Sequence, residues 1–311
     1  MRTFRLIPEK THIPFMALRR IAFAVSGAAM VLSMLLIATL GLNFGIDFRG
    51  GILIEVRTPA PADLGRMRGA LNDLGLGEVA LQEFGQETDV LVRLERQQGD
   101  QAAQIEATET VKTAIAELVG EDVSFRRTEF VGPKVSQELL RAGVFAVTLA
   151  LIAVMVYIWF RFEWQFGVGA ITALVHDVLI TLGVFALIRL EFNLSTVAAL
   201  LTIVGYSLND TVVVFDRVRE NLRRYKRLSI IDLLDRSLNE TLARTVVTSL
   251  TTLLALFALF FFGGEVIRGF TFGMILGVLV GTYSSIFVGT PLLVWLNLRR
   301  EGEVQAAATT G

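Results

Sequence analysis

Apolar residues are spread unevenly along the chain and gather into six long blocks. The blocks cover residues 17–42, 142–160, 166–188, 194–215, 245–262 and 269–298. Each is near the ~20 residues that a helix needs to cross about 30 Å of hydrocarbon, so the pattern predicts six transmembrane helices. The first block opens with Arg19 and Arg20, as a signal peptide would. It is too long for a signal core and no small-x-small site ends it, so it is expected to stay as an anchor. The last block is long enough to tilt or to run past the interface.

Residues 43–138, between the first two blocks, have ordinary soluble character. Alternation over 52–58 reads as a strand, and 61–74 as a helix beginning at Pro61. Two more strands follow at 78–84 and 89–95, joined by a Gly-containing turn. Residues 100–118 read as a second helix with Ile105, Val111, Ile115 and Leu118 on its apolar side, and 123–131 as a last strand. The order β-α-β-β-α-β is that of a ferredoxin-like split unit. The expected fold is a membrane α-helical bundle of six transmembrane helices, with a small α+β (ferredoxin-like βαββαβ) periplasmic domain between helices 1 and 2. Such a domain hosts many functions. It contains no acid pair, nucleophile–base set or metal cluster in its sequence, so its expected role is protein contact.

Composition supports the membrane reading. Hydrophobic residues are 53% of the 311 and charged residues 19%, against about 25% charged in a soluble domain. The absence of cysteine excludes disulfides, thiol catalysis and thiolate metal sites. Two histidines, His12 and His176, leave little for a zinc site. A net charge of −1 argues against a nucleic-acid partner.

The basic residues set an orientation. Arg2, Arg5, Lys10, Arg19 and Arg20 precede or open the first span; Arg217, Arg219, Arg223, Arg224, Lys226 and Arg227 follow the fourth; Arg299 and Arg300 follow the sixth. The opposite short loops hold Arg189 and Arg268. By the positive-inside rule both termini face the cytoplasm. The chain then divides into a cytoplasmic tail 1–16, helix 17–42, periplasmic domain and hinge 43–138, helices two to four in 139–216, a cytoplasmic loop 217–243, helices five and six in 244–298, and a tail 299–311. The basic run after the fourth span serves as a topology determinant or as a dock for anionic lipid or a partner. Residues 229–242, with Ile230, Ile231, Leu233, Leu234, Leu238 and Leu242, are expected to lie along the membrane surface.

Ionisable residues inside spans are expensive and point to function. Asp210, flanked by Asn209 and Thr211, re-enters an apolar run in the fourth span. It lies roughly 22 Å from the outer end of that span. It must pair, protonate or face water, and a proton carrier needs that property; the alternative is a structural hydrogen-bonding group. Arg244, at the start of the fifth span, is the natural partner, with Thr248 one turn further on the same face as support. A pair that opens when Asp210 takes a proton would be a switch; a snorkelling interfacial arginine is the alternative. His176 and Asp177, midway along the third span, are either a second relay element or a buried joint between helices. The sixth span carries Gly269, Gly273, Gly277, Gly281, Ser285 and Gly289, a small residue at every fourth place, for close helix contact. Gly132-Pro133-Lys134 lacks the glycine spacing of a P-loop and reads as a hinge.

Four segments resemble the SecD/SecF family of protein-export membrane proteins. They are Gly45-Ile46-Asp47-Phe48-Arg49-Gly50-Gly51, Phe130 to Ser136 through Gly132-Pro133, Gly205 to Leu222 through Asn209-Asp210-Thr211, and Leu238 to Thr245 through Arg244. The third is long and highly specific. The resemblance implies a multi-pass protein of the bacterial inner membrane, similar to half of a resistance-nodulation-division transporter. It implies a heteromeric complex with a SecD subunit, beside the SecYEG channel and YajC. There the proton gradient would help draw a preprotein outward after SecA has pushed it in. It implies Asp210 as the proton-responsive aspartate and Arg244 as its partner, and places Asp47 with Gly50 and Gly51 in a structural turn. Protons, the preprotein and the lipid bilayer are then the partners, with no nucleic acid, no cofactor, no metal and no catalysis. Rival readings are a half-transporter for small molecules or lipids and a non-transporting scaffold for the channel.

Overall fold

The structure, a computed structural model, describes residues 11–296 and Leu298, apart from 78, 100, 121 and 264–266. The basic positions Arg2, Arg5, Lys10, Arg299 and Arg300 lie outside the described residues, as do the first positions expected for the second strand and second helix, Glu78 and Asp100. In chain order the elements are α1 (Arg19–Leu40), β1 (Asn43–Phe44), α2 (Ile46–Arg49), β2 (Gly51–Arg57), α3 (Leu64–Asn72), β3 (Val79–Phe84), β4 (Gln86–Leu94), α4 (Gln101–Val119) and β5 (Ser124–Val131). Then come α5 (Pro133–Arg161), α6 (Trp164–Ile188), β6 (Glu191–Phe192), α7 (Leu194–Arg224), α8 (Ile230–Phe262), α9 (Arg268–Ser284), a π turn (Ser285–Gly289) and α10 (Thr290–Trp295). They form two compact units. One contains Phe44–Phe145 and Glu191–Leu194; the other contains the rest of the described chain.

The second unit is helical. Among the described residues six helical stretches are long and apolar enough to cross a membrane, so the chain is a multi-pass membrane protein. The two longest outrun the bilayer most. With 31 and 33 residues, α7 and α8 are about 46 and 50 Å long, against about 30 Å of hydrocarbon. Residues 229–242 therefore differ from expectation: they form no separate surface helix but are the first turns of α8. Their apolar side finds protein to pack on. Leu233, Leu234 and Leu238 are buried with Val214, Phe215 and Val218 of α7 and with Phe162 and Phe166. Ser229 caps this helix, its hydroxyl accepting from the Asp232 amide at 3.1 Å. At the other end of the unit Arg189 takes a left-handed conformation, with φ 56°. Its guanidinium donates to the carbonyls of Leu40 and Gly41 at 2.8 and 2.9 Å, placing a cation at the C-terminus of α1.

The first unit is an antiparallel sheet in the order β3-β4-β2-β5, covered by α3 and α4. Ile52, Ile54 and Val56 alternate inward on β2 beside Val90, Val92 and Leu94 of β4. Met67, Leu71, Ala107, Val111 and Ile115 close over them from the helices. Ile105, expected on the buried side of α4, is exposed. The first helix starts at Leu64 rather than Pro61, because Asp63 caps it by accepting from the Arg66 amide at 3.0 Å. Gly85, at φ 74°, turns the chain between β3 and β4 in one residue, so β4 starts earlier than the pattern predicts.

Gly50 and Gly51 enter β2 at φ 75° and 118°, where a side chain is strained. A Cβ on Gly51 would lie 2.5 Å from the Leu94 carbonyl oxygen. Gly51→Ala is expected to destabilise this unit by roughly 1–3 kcal/mol. Faster amide exchange along β2 and β4 is the readout, and unchanged exchange would contradict it.

Across β2 and β4, Arg57 and Asp89 face each other, and the guanidinium donates to both carboxylate oxygens. That hydrogen bonding, against some desolvation, holds the Asp89 carboxyl below its usual range. A depressed folded value contributes stability that is complete above the unfolded carboxylate value of about 3.9 and is lost as pH falls through the lower folded value. Asp89→Asn is expected to remove this acid-dependent part of the unit's stability, seen as a flatter amide-protection profile across the acid limb.

Candidate functional site

Among the described residues two carboxylates are buried inside the helical unit, each served by hydroxyls from neighbouring helices. Asp210, on α7, is 8% exposed. Thr245 of α8 donates to its Oδ1 at 2.6 Å, and Ser285, at the head of the π turn, donates to its Oδ2 at 2.5 Å. Arg244 does not pair with it directly: among the described residues no ion pair joins them, and Arg244 is exposed. Consecutive helical residues point about 100° apart, so turning Thr245 inward turns Arg244 outward. The guanidinium still acts on Asp210 through its charge. Thr248 and Asn209 are exposed too, and the Thr248 hydroxyl bonds back to the carbonyls of Arg244 and Thr245.

His176 and Asp177, on α6, are fully buried. Asp177 Oδ2 accepts from Ser207 of α7 at 2.6 Å and from Ser284 of α9 at 2.8 Å. Its Oδ1 lies 2.9 Å from His176 Nδ1. The His176 ring stacks on Tyr283 with centroids 6.0 Å apart, and the Tyr283 hydroxyl lies 3.0 Å from Ser26 Oγ on α1. Residues 283–285 thus touch polar residues on three helices, α1, α6 and α7. Among the described residues no three His, Asp or Glu side chains gather as a metal set.

The π turn has a local cause. Pro291 lacks the amide that would bond back to Phe287, and its ring crowds that carbonyl. The helix widens before it, and the Thr290 hydroxyl caps the Ser285 carbonyl at 2.7 Å. The stripe of small residues lies against α6 and α7. A Cβ on Gly273 would meet Ala199 and Phe185 at 3.4 Å, on Gly277 Ile203 at 2.2 Å, and on Gly281 Ser207 at 3.0 Å. Gly269, by contrast, has nothing within 4 Å.

The other motif residues are structural in placement. Asp47, in α2, accepts from the Leu194 amide at 2.8 Å, setting a carboxylate at the first residue of α7. Phe44, Phe48 and Phe192 pack edge to face or tilted nearby, with centroids 5.7–6.0 Å apart. Gly132 and Pro133 join β5 to α5; a Cβ on Gly132 would meet nothing within 4 Å. Sequence reading missed a second polar cluster. Glu240 of α8 accepts from Arg217 at 2.7 Å, Asn221 at 2.8 Å and Arg236 at 2.9 Å. Arg217 also bonds Glu220, and Arg161 bonds Asp216, so part of the basic run is internally neutralised.

Comparisons with known proteins bear on the family and the fold. The family described as protein export membrane protein SecD/SecF, C-terminal, matches residues 110–299, and the SecD/SecF GG motif matches residues 35–58. The protein translocase subunit SecF of Rickettsia felis is 45% identical over 296 residues, covering 95% of this chain and 96% of its own. That of Cereibacter sphaeroides is 46% identical over 304 residues, covering 96% and 94%. The crystal structure of SecDF, a translocon-associated membrane protein from Thermus, superposes with a TM-score of 0.86 at 37% identity. The match covers 96% of this chain and 40% of that one. A second SecDF structure, in a super-membrane-facing form, gives a TM-score of 0.69 at 35% identity over 98% of this chain and 41% of that one. With two family segments matched and relatives aligned over nearly its full length, the chain belongs to the SecD/SecF family of protein-export membrane proteins.

Proposed function

We propose that the chain is the proton-coupled SecF-type half of an accessory complex formed with a SecD subunit, which promotes late movement and release of preproteins from the Sec channel. In this reading it sits in the bacterial inner membrane with both termini in the cytoplasm, beside SecYEG and YajC, and is a coupling subunit rather than a catalyst. The observation that carries it is Asp210: a carboxylate inside a span, with each oxygen held by one hydroxyl of a different neighbouring segment. Such a group senses protonation and the arrangement of α7, α8 and the π turn together. Arg244, exposed and acting through its charge, is the second member of the switch.

Export in cells depleted of their own copy tests this reading. The chain, expressed with a SecD subunit, should restore export and remain bound to that subunit in mild detergent. Restoration that persists unchanged when the chain's proton response is removed would favour a scaffold. Failure to retain any six-span partner would sink the complex.

A further inference from the structure

We propose that Asp177 is a second proton-binding carboxyl, linked to Asp210 by the consecutive hydroxyls of Ser284 and Ser285. This rests on the reading of Asp210 as a proton-coupling group and adds a site to it.

The side-chain partners of Asp177 are His176 on its own helix, Ser207 on α7 and Ser284 on α9. The only one able to carry positive charge is His176. An imidazolium donates from both ring nitrogens. Only Nδ1 has an acceptor: Nε2 is buried and has no hydrogen-bond partner among the described residues, and the ring face rests on Tyr283. A charge on the ring would leave the buried Nε2–H without an acceptor. Beside a neutral ring, an ionised Asp177 would be a fully buried charge with no cation on it, which is costly inside a membrane protein. Binding a proton removes that cost.

The serine hydroxyls fit both states of the two carboxyls. Ser284 Oγ lies 2.8 Å from Asp177 Oδ2 and 3.1 Å from the Gly281 carbonyl. Ser285 Oγ lies 2.5 Å from Asp210 Oδ2 and 3.1 Å from the Thr282 carbonyl. Facing an ionised carboxylate, each hydroxyl donates to it. Facing a protonated one, it accepts the carboxyl hydrogen and turns its own toward the carbonyl one turn back. Only a hydroxyl rotates. The groups facing Asp210 are Thr245, Ser285 and the charge of Arg244, so the two sites differ in having or lacking a cation nearby.

Ser284 and Ser285 are consecutive at the junction of α9 and the π turn, so a shift of that short backbone segment changes both carboxylate contacts together. Ser207 adds a second tie, one helical turn from Asp210 on α7.

Infrared difference spectra of the full chain in lipid nanodiscs, taken across pH steps, test this. Subtracting each variant's spectrum from wild type isolates the carboxyl it lacks. Asp177→Asn should remove one pH-dependent carboxylic-acid carbonyl band and Asp210→Asn another. Ser284→Ala should keep both and move the midpoint of each by about one pH unit, a tenfold change in proton affinity. A wild-type minus Asp177→Asn spectrum without a carbonyl band overturns the proposal. So does a Ser284→Ala spectrum identical to wild type, which decides the matter even if Asp177→Asn fails to fold. Loss of no band in Asp210→Asn would instead overturn the reading of Asp210, leaving the Asp177 band to stand or fall separately.

Discussion

Asp210→Asn is expected to reduce gradient-dependent export to the level of cells lacking the chain, with its amount in the membrane unchanged. Asparagine keeps the shape of the side chain, and its Oδ1 still accepts one of the two hydroxyls that hold Asp210. Its amide nitrogen cannot accept the other, and the side chain binds no proton at physiological pH. Coupling is lost while packing survives. Thr245→Val and Ser285→Ala should be milder, since each removes one hydrogen bond to a charged group, worth about 1.5–3 kcal/mol. These two should reshape the pH profile of export rather than abolish it. Export measured against the amount of chain in the membrane separates the outcomes. Wild-type export by Asp210→Asn would end the proton reading.

The second large effect concerns the fold. Gly277→Val should lower the thermal stability of the purified chain sharply, while Gly269→Ala should be close to neutral. At Gly277 even a Cβ would lie 2.2 to 2.8 Å from three atoms of Ile203. A β-branched residue in a helix has little rotamer freedom to withdraw, so α9 and α7 must separate. Overpacking of this kind typically costs about 1–3 kcal/mol. Combining it with Ile203→Ala should recover much of the loss, because the two residues share one space. A double variant no better than Gly277→Val alone would show that the damage lies elsewhere. Gly269 has open space around it and lacks that constraint.

What the sequence revealed follows from which signals are local. Apolar blocks announce the spans because burial in lipid leaves no polar residue unaccounted for along some 20 positions. The strand and helix order between the first two spans is legible for the same reason: alternation and helical periodicity are read within a few residues. Asp210 stood out against its apolar neighbours. Its partners did not, because Ser285 reads equally well as one more small residue in a packing stripe and Thr245 as part of a common apolar span. Only the fold decides that these hydroxyls face a carboxylate. The bond from Leu194 to Asp47 spans 147 positions and leaves no mark in either local pattern. The 229–242 stretch was misplaced by the same limit. An amphipathic helix looks alike whether it rests on lipid or on Phe215 and Val218.

The stripe itself contains a mismatch of phase. A step of four residues overshoots a turn of 3.6 by about 40°, so four steps along a regular helix would swing the row about 160° around the axis. Yet Gly273 faces Ala199, Gly277 faces Ile203, Gly281 faces Ser207, and Gly289, four steps on, still lies against Gly169 and Phe215. The neighbouring helix offers its own row at the same interval, Ala199, Ile203 and Ser207, which absorbs part of the drift. The π turn absorbs more, because its wider turn holds an extra residue and retards the rotation at Ser285. The bulge therefore works as a leap day in the helix: one surplus residue, placed where the count would otherwise slip, keeps the sixth span in step with its neighbours.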